Sequence, residues 1–131
     1  AASNNNLDMF EEMHLAALIH KGRTGDPTVV PARRALEMAT RDAAKALGID
    51  HLVGTLEPGK RADLAVVSFA APHLIPAHSI CSHLVYSAGA SDVRMTVVDG
   101  AVVMEEGQFP GQDAEEVYRN ADVRARVLCS S

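Results

Sequence analysis

The sequence has few cysteines, which crosslink small secreted domains, and few aromatic residues, which often fill their cores. It contains no tryptophan, 4% aromatic residues and two cysteines in 131 residues. Cys81 and Cys129 do not form a Cys-x-x-Cys pair, and a chain of this length does not need a disulfide, so we expect both thiols to be free. Because aromatic side chains are scarce, the core must be built mainly from Ala, Val, Leu and Met.

Long hydrophobic runs and an excess of basic charge are also absent. Apolar stretches such as 64–67 and 101–104 are far shorter than the roughly 20 residues of a membrane-spanning helix, which argues against a membrane partner. Residues 1–6 lack the pattern of a secretory signal, so we expect a cytoplasmic location. The net charge is −5 and the basic residues are scattered, which argues against a nucleic-acid partner.

Helical spacing of apolar residues is the strongest local pattern in the chain. It predicts helices over 7–21, 31–47, 79–87 and 113–129. Asn5 or Asn6 is expected to cap the first helix, and the Lys-Gly-Arg sequence at 21–23 to end it. Gly48 is expected to end the second helix in a left-handed conformation.

Strand patterns occupy the middle of the chain. The segment 62–69 follows a Pro-Gly turn and is rich in Val and Leu, which predicts a buried strand. Two β-branched runs between 93 and 104 flank Asp99 and Gly100, the pair favoured in a two-residue hairpin turn. The predicted fold is therefore α+β. Because three strands and two long helices need a further surface to pack against, we expect part of that surface to lie outside the chain.

Sequence patterns that carry catalysis are scarce. None of the six histidines forms a His-x-His or His-Glu-x-x-His pair, so we expect surface or hydrogen-bonded histidines. Nucleophile elbows and glycine-rich phosphate loops are also missing. We therefore predict no catalytic residue and no metal ligand from spacing. On composition alone, the polar run 3–6 before the first helix is better explained as a helix cap than as part of a site.

Four ordered motifs nevertheless resemble one enzyme family. They are 3–13 with 21–27, 35–40 with 44–48, the segment GTLEPGKRADL at 54–64, and 83–86 with 97–100. Together they resemble the amidohydrolase superfamily, in particular the branch of methylthioadenosine/S-adenosylhomocysteine deaminases and related chlorohydrolases. The resemblance covers about residues 1–109.

The resemblance implies an architecture and a set of site residues. Residues 1–49 correspond to the last helices of a TIM barrel, 50–109 to part of a composite β-sandwich, and 110–131 to a C-terminal helix. The family holds one divalent metal of the Zn or Fe type, but none of its ligands matches a residue here, and the family's metal-binding aspartate would lie just before Ala1. Ser3, Asn4 and Asn5 match positions near the barrel mouth and are the candidate residues of the substrate pocket.

The resemblance also implies a function for a longer parent protein. That parent would be a metal-dependent hydrolase that deaminates adenosine-type or related small heterocycles, using water activated by the metal. We predict that this chain alone, as a C-terminal fragment, is inactive, and whether it counts as an enzyme stays open. The alternative is a stand-alone, non-catalytic module that associates with itself. In either case, we expect a homo-oligomer.

Overall fold

Helices precede, interrupt and follow a small antiparallel sheet in the computed structural model, which describes residues 5–129. This arrangement confirms the predicted α+β fold. Short 3-10 turns cover Pro72–Leu74 and Ala90–Asp92. The strands are β1 (Leu64–Val67), β2 (Val93–Val98) and β3 (Ala101–Glu105), and the helices are α1 (Met9–Thr24), α2 (Ala32–Ala39), α3 (Arg41–Ala46), α4 (Ile80–Tyr86) and α5 (Ala114–Cys129).

Helix α1 begins and ends later than the sequence pattern predicted. Its N-cap is Asp8, whose Oδ1 accepts a hydrogen bond from the Phe10 N–H at 2.9 Å, so the prediction of Asn5 or Asn6 as the cap is wrong. The helix continues through Gly22 and ends at Gly25, where φ is 68° and the N–H donates to the Lys21 carbonyl. A left-handed glycine after the last turn therefore stops the helix, rather than the basic sequence before it.

The second predicted helix is divided into α2 and α3 by a break at Thr40. This residue has φ −123° and ψ −95°, and its hydroxyl donates to the Leu36 carbonyl at 2.7 Å. The loop 49–56 packs into the break so closely that a Cβ on Gly54 would lie 3.3 Å from the Thr40 carbonyl oxygen. The prediction of a single helix over 31–47 is therefore wrong. The predicted left-handed ending at Gly48 is confirmed by its φ of 71°.

A small core holds α1, α2 and α4 together. Its buried residues are Met13, Ala17, Ala35 and Val85. This composition agrees with a core built from Ala, Val and Met rather than from aromatic side chains. In α4 the buried side chain is Val85, whereas Ile80 at the start of the helix is exposed.

The sheet is antiparallel with strand order β1-β2-β3, so β1 and β3 are its edges. The predicted hairpin is confirmed: Asp99 and Gly100 connect β2 to β3 with φ of 51° and 81°. Strand β1 is shorter than predicted, and Ala65 and Val66 are exposed. The prediction of a buried strand is therefore wrong for these residues, because β1 is an edge strand whose surface is only partly covered.

Helix α5 follows the sheet without burying any of its residues. Asp113 caps it by accepting hydrogen bonds from the N–H groups of Glu115 and Glu116 at 3.0 and 3.2 Å. The division of the chain at 49 and 109 stays a prediction. Of the helices within residues 5–129, none has the length and apolar character required to cross a bilayer.

Candidate functional site

The segment before α1 contains the candidate pocket residues. Ser3 and Asn4 lie outside the described residues, whereas Asn5 is exposed in a bend that leads into the helix. The side-chain amide of Asn6 donates to the Glu11 carboxylate and holds this segment over the first turn of α1. Assignment of Ser3, Asn4 and Asn5 to a substrate pocket stays a prediction.

An apolar cavity of about 570 Å³ lies between α1, α2, α3, the loop 49–56 and β1. Phe10, Met13, Leu36 and Leu64 are among its lining residues, and its charged lining residue is Asp63. The Asp63 carboxylate accepts a hydrogen bond from the Asp99 N–H at 2.6 Å, so it is engaged in the hairpin turn. Such a cavity suits apolar side chains better than the reacting group of a polar substrate.

Histidines in the described range are tied into hydrogen bonds at three places. The Nδ1 atoms of His14 and His83 lie 3.1 Å from the Val85 carbonyl and 2.9 Å from the Ser79 carbonyl, and His73 Nε2 lies 3.0 Å from an Asp92 oxygen. For these three, the expectation of hydrogen-bonded histidines is confirmed. Within residues 5–129, no three His, Cys, Asp or Glu side chains are grouped to hold a metal ion, so this part of the chain does not fit a metal. Both cysteines are free thiols, as expected.

Asp92 is a buried carboxylate, only 6% exposed, and lies directly before β2. It accepts hydrogen bonds from the Gly89 N–H and from His73 Nε2, both at 3.0 Å. The Gly89 hydrogen bond, and then that of His73, lower the pKa of Asp92 below its ordinary value of 3.8. The carboxylate therefore stays ionised at neutral pH and fixes the loop before β2.

Three polar links tie α1 to the segment 85–90. Asp8 Oδ2 accepts from the Ala90 N–H at 3.2 Å, and His14 lies against the Val85 carbonyl. Lys21 Nζ donates to the Tyr86 hydroxyl at 3.0 Å and to the Val30 carbonyl at 2.8 Å. Sequence reasoning missed these links. Only Asp8 offered a signal, as a capping residue type directly before an apolar period.

Sequence comparison finds similar proteins among curated deaminases. The chain is 52% identical over 131 residues to a 5-methylthioadenosine/S-adenosylhomocysteine deaminase of Desulforudis audaxviator. The aligned region covers 100% of this chain and 30% of that protein. The chain is also 52% identical over 127 residues to a 5'-deoxyadenosine deaminase of Methanosarcina acetivorans, covering 97% of this chain and 29% of that protein. The chain therefore spans about 30% of the length of these curated relatives.

Two solved structures share the fold of this chain. One is an adenosine deaminase from Xanthomonas campestris with bound zinc, at a TM-score of 0.92 and 35% identity, covering 98% of this chain and 29% of that one. The other is an atrazine chlorohydrolase from Arthrobacter aurescens TC1 complexed with zinc, at a TM-score of 0.78 and 28% identity, covering 87% and 25%.

A family model also matches most of the chain. The model of the amidohydrolase family covers residues 1–103, from the segment before α1 into β3. With a match of this extent, and relatives that agree with it, the chain belongs to the amidohydrolase family.

Proposed function

We propose that this chain is the C-terminal part of a hydrolytic deaminase that acts on adenosine-type or related heterocyclic substrates. The observation that carries the proposal is the 52% identity over 131 residues to a 5-methylthioadenosine/S-adenosylhomocysteine deaminase. Because the chain spans 30% of that relative, the rest of a parent protein would supply the larger part of the barrel.

The exposed surface of the chain supports this proposal. The chain exposes 9418 Å², whereas a folded monomer of 13.9 kDa is expected to expose about 6,700 Å². The excess of roughly 2,700 Å² is larger than the ~800 Å² that each partner buries in an ordinary protein interface. A chain with this much uncovered surface is suited to packing against further polypeptide.

The proposal assigns no reaction step to the residues of this chain. The two solved structures described above contain zinc, but residues 5–129 do not offer a group of ligands for such an ion. We propose that a parent protein binds a divalent metal through residues outside this chain, and that the isolated chain does not deaminate. Ser3, Asn4 and Asn5 would contribute to the wall of the substrate pocket.

A chimeric enzyme tests the proposed function. The part of the Desulforudis audaxviator deaminase that this chain does not cover is joined to residues 1–131, and ammonia release is measured with methylthioadenosine, S-adenosylhomocysteine and 5'-deoxyadenosine. We expect zinc-dependent deamination by the chimera and none by the isolated chain. A folded, zinc-loaded chimera without activity on any of the three would contradict the assignment, as would deamination by the isolated chain.

Self-association is a second candidate function, favoured by the exposure of every apolar side chain along α5 between 117 and 128. In this alternative the chain is a non-catalytic module that forms a homo-oligomer. Native mass spectrometry of the purified chain separates the two proposals: a stable oligomer that does not bind the remainder of the deaminase favours the module. A cytoplasmic location stays a prediction under both.

A further inference from the structure

We propose that Asp8 is a positioning residue, whose carboxylate fixes the segment before α1 relative to the loop at Gly89 and Ala90. The inference rests on the proposed function, because that segment contains Asn5, the pocket candidate that lies within the described residues. Asp8 itself need not touch the substrate. Its role would be to set where the chain enters α1, and so where Asn5 lies.

The two carboxylate oxygens of Asp8 contact different parts of the fold. Oδ1 accepts the Phe10 N–H at 2.9 Å, which is the ordinary bond of a helix N-cap. Oδ2 accepts the Ala90 N–H at 3.2 Å, from a residue 82 positions away. Capping a helix needs only one oxygen. The second hydrogen bond therefore has a separate effect, because it joins the start of α1 to a distant loop.

The loop at Gly89 and Ala90 is itself held in place by hydrogen bonds. The neighbouring Gly89 N–H donates to Asp92 at 3.0 Å, and Asp92 is buried and also hydrogen-bonded to His73. Two successive backbone N–H groups are thus bound by two carboxylates, one from Asp92 and one from Asp8. The start of α1 is therefore held in place relative to β2, which follows Asp92 directly.

The other links between α1 and the segment 85–90 start from later positions of the helix. His14 is in the middle of α1 and Lys21 in its last turns. They hold the helix against α4, but they do not constrain the residues that precede it. Lys21 therefore provides a control that weakens the same packing without altering the start of the helix.

Two substitutions remove the Asp8 link from opposite sides. Asp8→Asn keeps an oxygen for the Phe10 N–H but replaces the second oxygen with an amide that cannot accept from Ala90. Ala90→Pro deletes the donor, at the first residue of a 3-10 turn, where proline is tolerated. The extended backbone of Gly89, with φ −137° and ψ 178°, is compatible with a following proline. Asp113→Asn is the matched control, because Asp113 caps α5 through Oδ1 alone.

Amide hydrogen exchange in the complete 131-residue chain tests the link itself. In Asp8→Asn we expect the Ala90 amide to exchange about five- to tenfold faster, while the Phe10 amide keeps its protection. Asp113→Asn should leave the exchange rates of both amides unchanged. Unchanged exchange at Ala90 in Asp8→Asn would overturn the inference at its first step.

Kinetics of the chimeric deaminase test the positioning role. We expect Asp8→Asn and Ala90→Pro each to raise the KM for methylthioadenosine about tenfold, with kcat changed less than about twofold. The double variant should be no worse than either single variant, because both remove the same bond. Lys21→Met should lower the thermal midpoint and leave KM unchanged.

The outcomes separate the two proposals. A chimera that is inactive before any substitution overturns the proposed function, and the positioning role with it. An active chimera whose KM is unaffected by Asp8→Asn, or is raised equally by Lys21→Met, contradicts only the positioning role, since the effect would then be one of general stability.

Discussion

At the scale of single residues, Gly54 is required by a close contact as well as by its backbone conformation. Its φ is +94°, and a Cβ placed on it would lie 2.6 Å from the Ala44 Cβ and 3.3 Å from the Arg41 Cα. Gly59, in the same GTLEPGKRADL segment, has a similar φ of +92° but no atom within 4 Å of its Cβ position. Comparing substitutions at Gly54 and Gly59 therefore separates the free-energy cost of a positive φ from the cost of steric crowding.

We predict that Gly54→Ala lowers the free energy of unfolding by about 2–4 kcal/mol, because strain at positive φ and overpacking add. Gly59→Ala should cost only about 1 kcal/mol, the conformational part. Urea unfolding of the 131-residue chain, followed by circular dichroism, measures both. Equal losses in the two variants would mean that the loop 49–56 moves away without cost.

Asp92 gives the chain a pH dependence with a defined sign. Its pKa is lowered in the folded state by the Gly89 N–H and by His73, so folding favours the ionised carboxylate. This stabilisation is complete above the ordinary pKa of 3.8 and is lost as the pH falls through the lowered folded-state value.

We therefore expect the native chain to be more stable than Asp92→Asn at neutral pH, with a difference that shrinks below about pH 4. Free energies of unfolding from urea titrations between about pH 3 and pH 6 measure this difference. Asp26 and Asp42, whose pKa values are also lowered, are present in both proteins and cancel in the comparison. A difference that does not change with pH would show that Asp92 acts only through packing.

At the scale of elements, patterns among sequence neighbours predicted more than patterns that depend on distant contacts. The hairpin at Asp99 and Gly100 and the ending at Gly48 follow from local backbone preferences, and both are predictable from the sequence. The break at Thr40 is not, because it accompanies the packing of Gly54 from a later loop. The link from Asp8 to Ala90 is equally hidden, since its donor is a backbone N–H that any residue but proline supplies.

The hairpin turn offers a test of these local preferences. Asp99 has φ 51°, a conformation that asparagine adopts readily and a β-branched residue does not. Asp99→Asn should change the free energy of unfolding by less than about 0.5 kcal/mol, because its ion pair with Arg61, at 3.6 Å, is exposed to solvent. Asp99→Val should cost about 1–3 kcal/mol. Thermal unfolding of the two variants compares them, and equal midpoints would contradict the conformational argument.

At the scale of the whole molecule, the apolar cavity is the surface that we most expect to pack against further polypeptide. Leu47 and Leu56 line it with 73% and 75% of their surfaces exposed. Side chains this exposed contribute little to the fold of the isolated chain, but they would be covered if the cavity receives apolar residues from the rest of a deaminase. Ile80 is 67% exposed and does not line the cavity. It serves as a matched control.

Co-expression of this chain with the remaining part of the Desulforudis audaxviator deaminase tests whether the cavity binds the rest of the enzyme. We expect the two pieces to copurify, and Leu47→Asp or Leu56→Asp to abolish copurification, because a carboxylate buried against apolar side chains costs several kcal/mol. Ile80→Asp should copurify normally, and the circular dichroism of all three isolated variants should match the native chain. If Ile80→Asp abolishes copurification as fully as the two cavity variants, added charge rather than the cavity is responsible. If all three copurify normally, the cavity is not the surface that meets the rest of the enzyme.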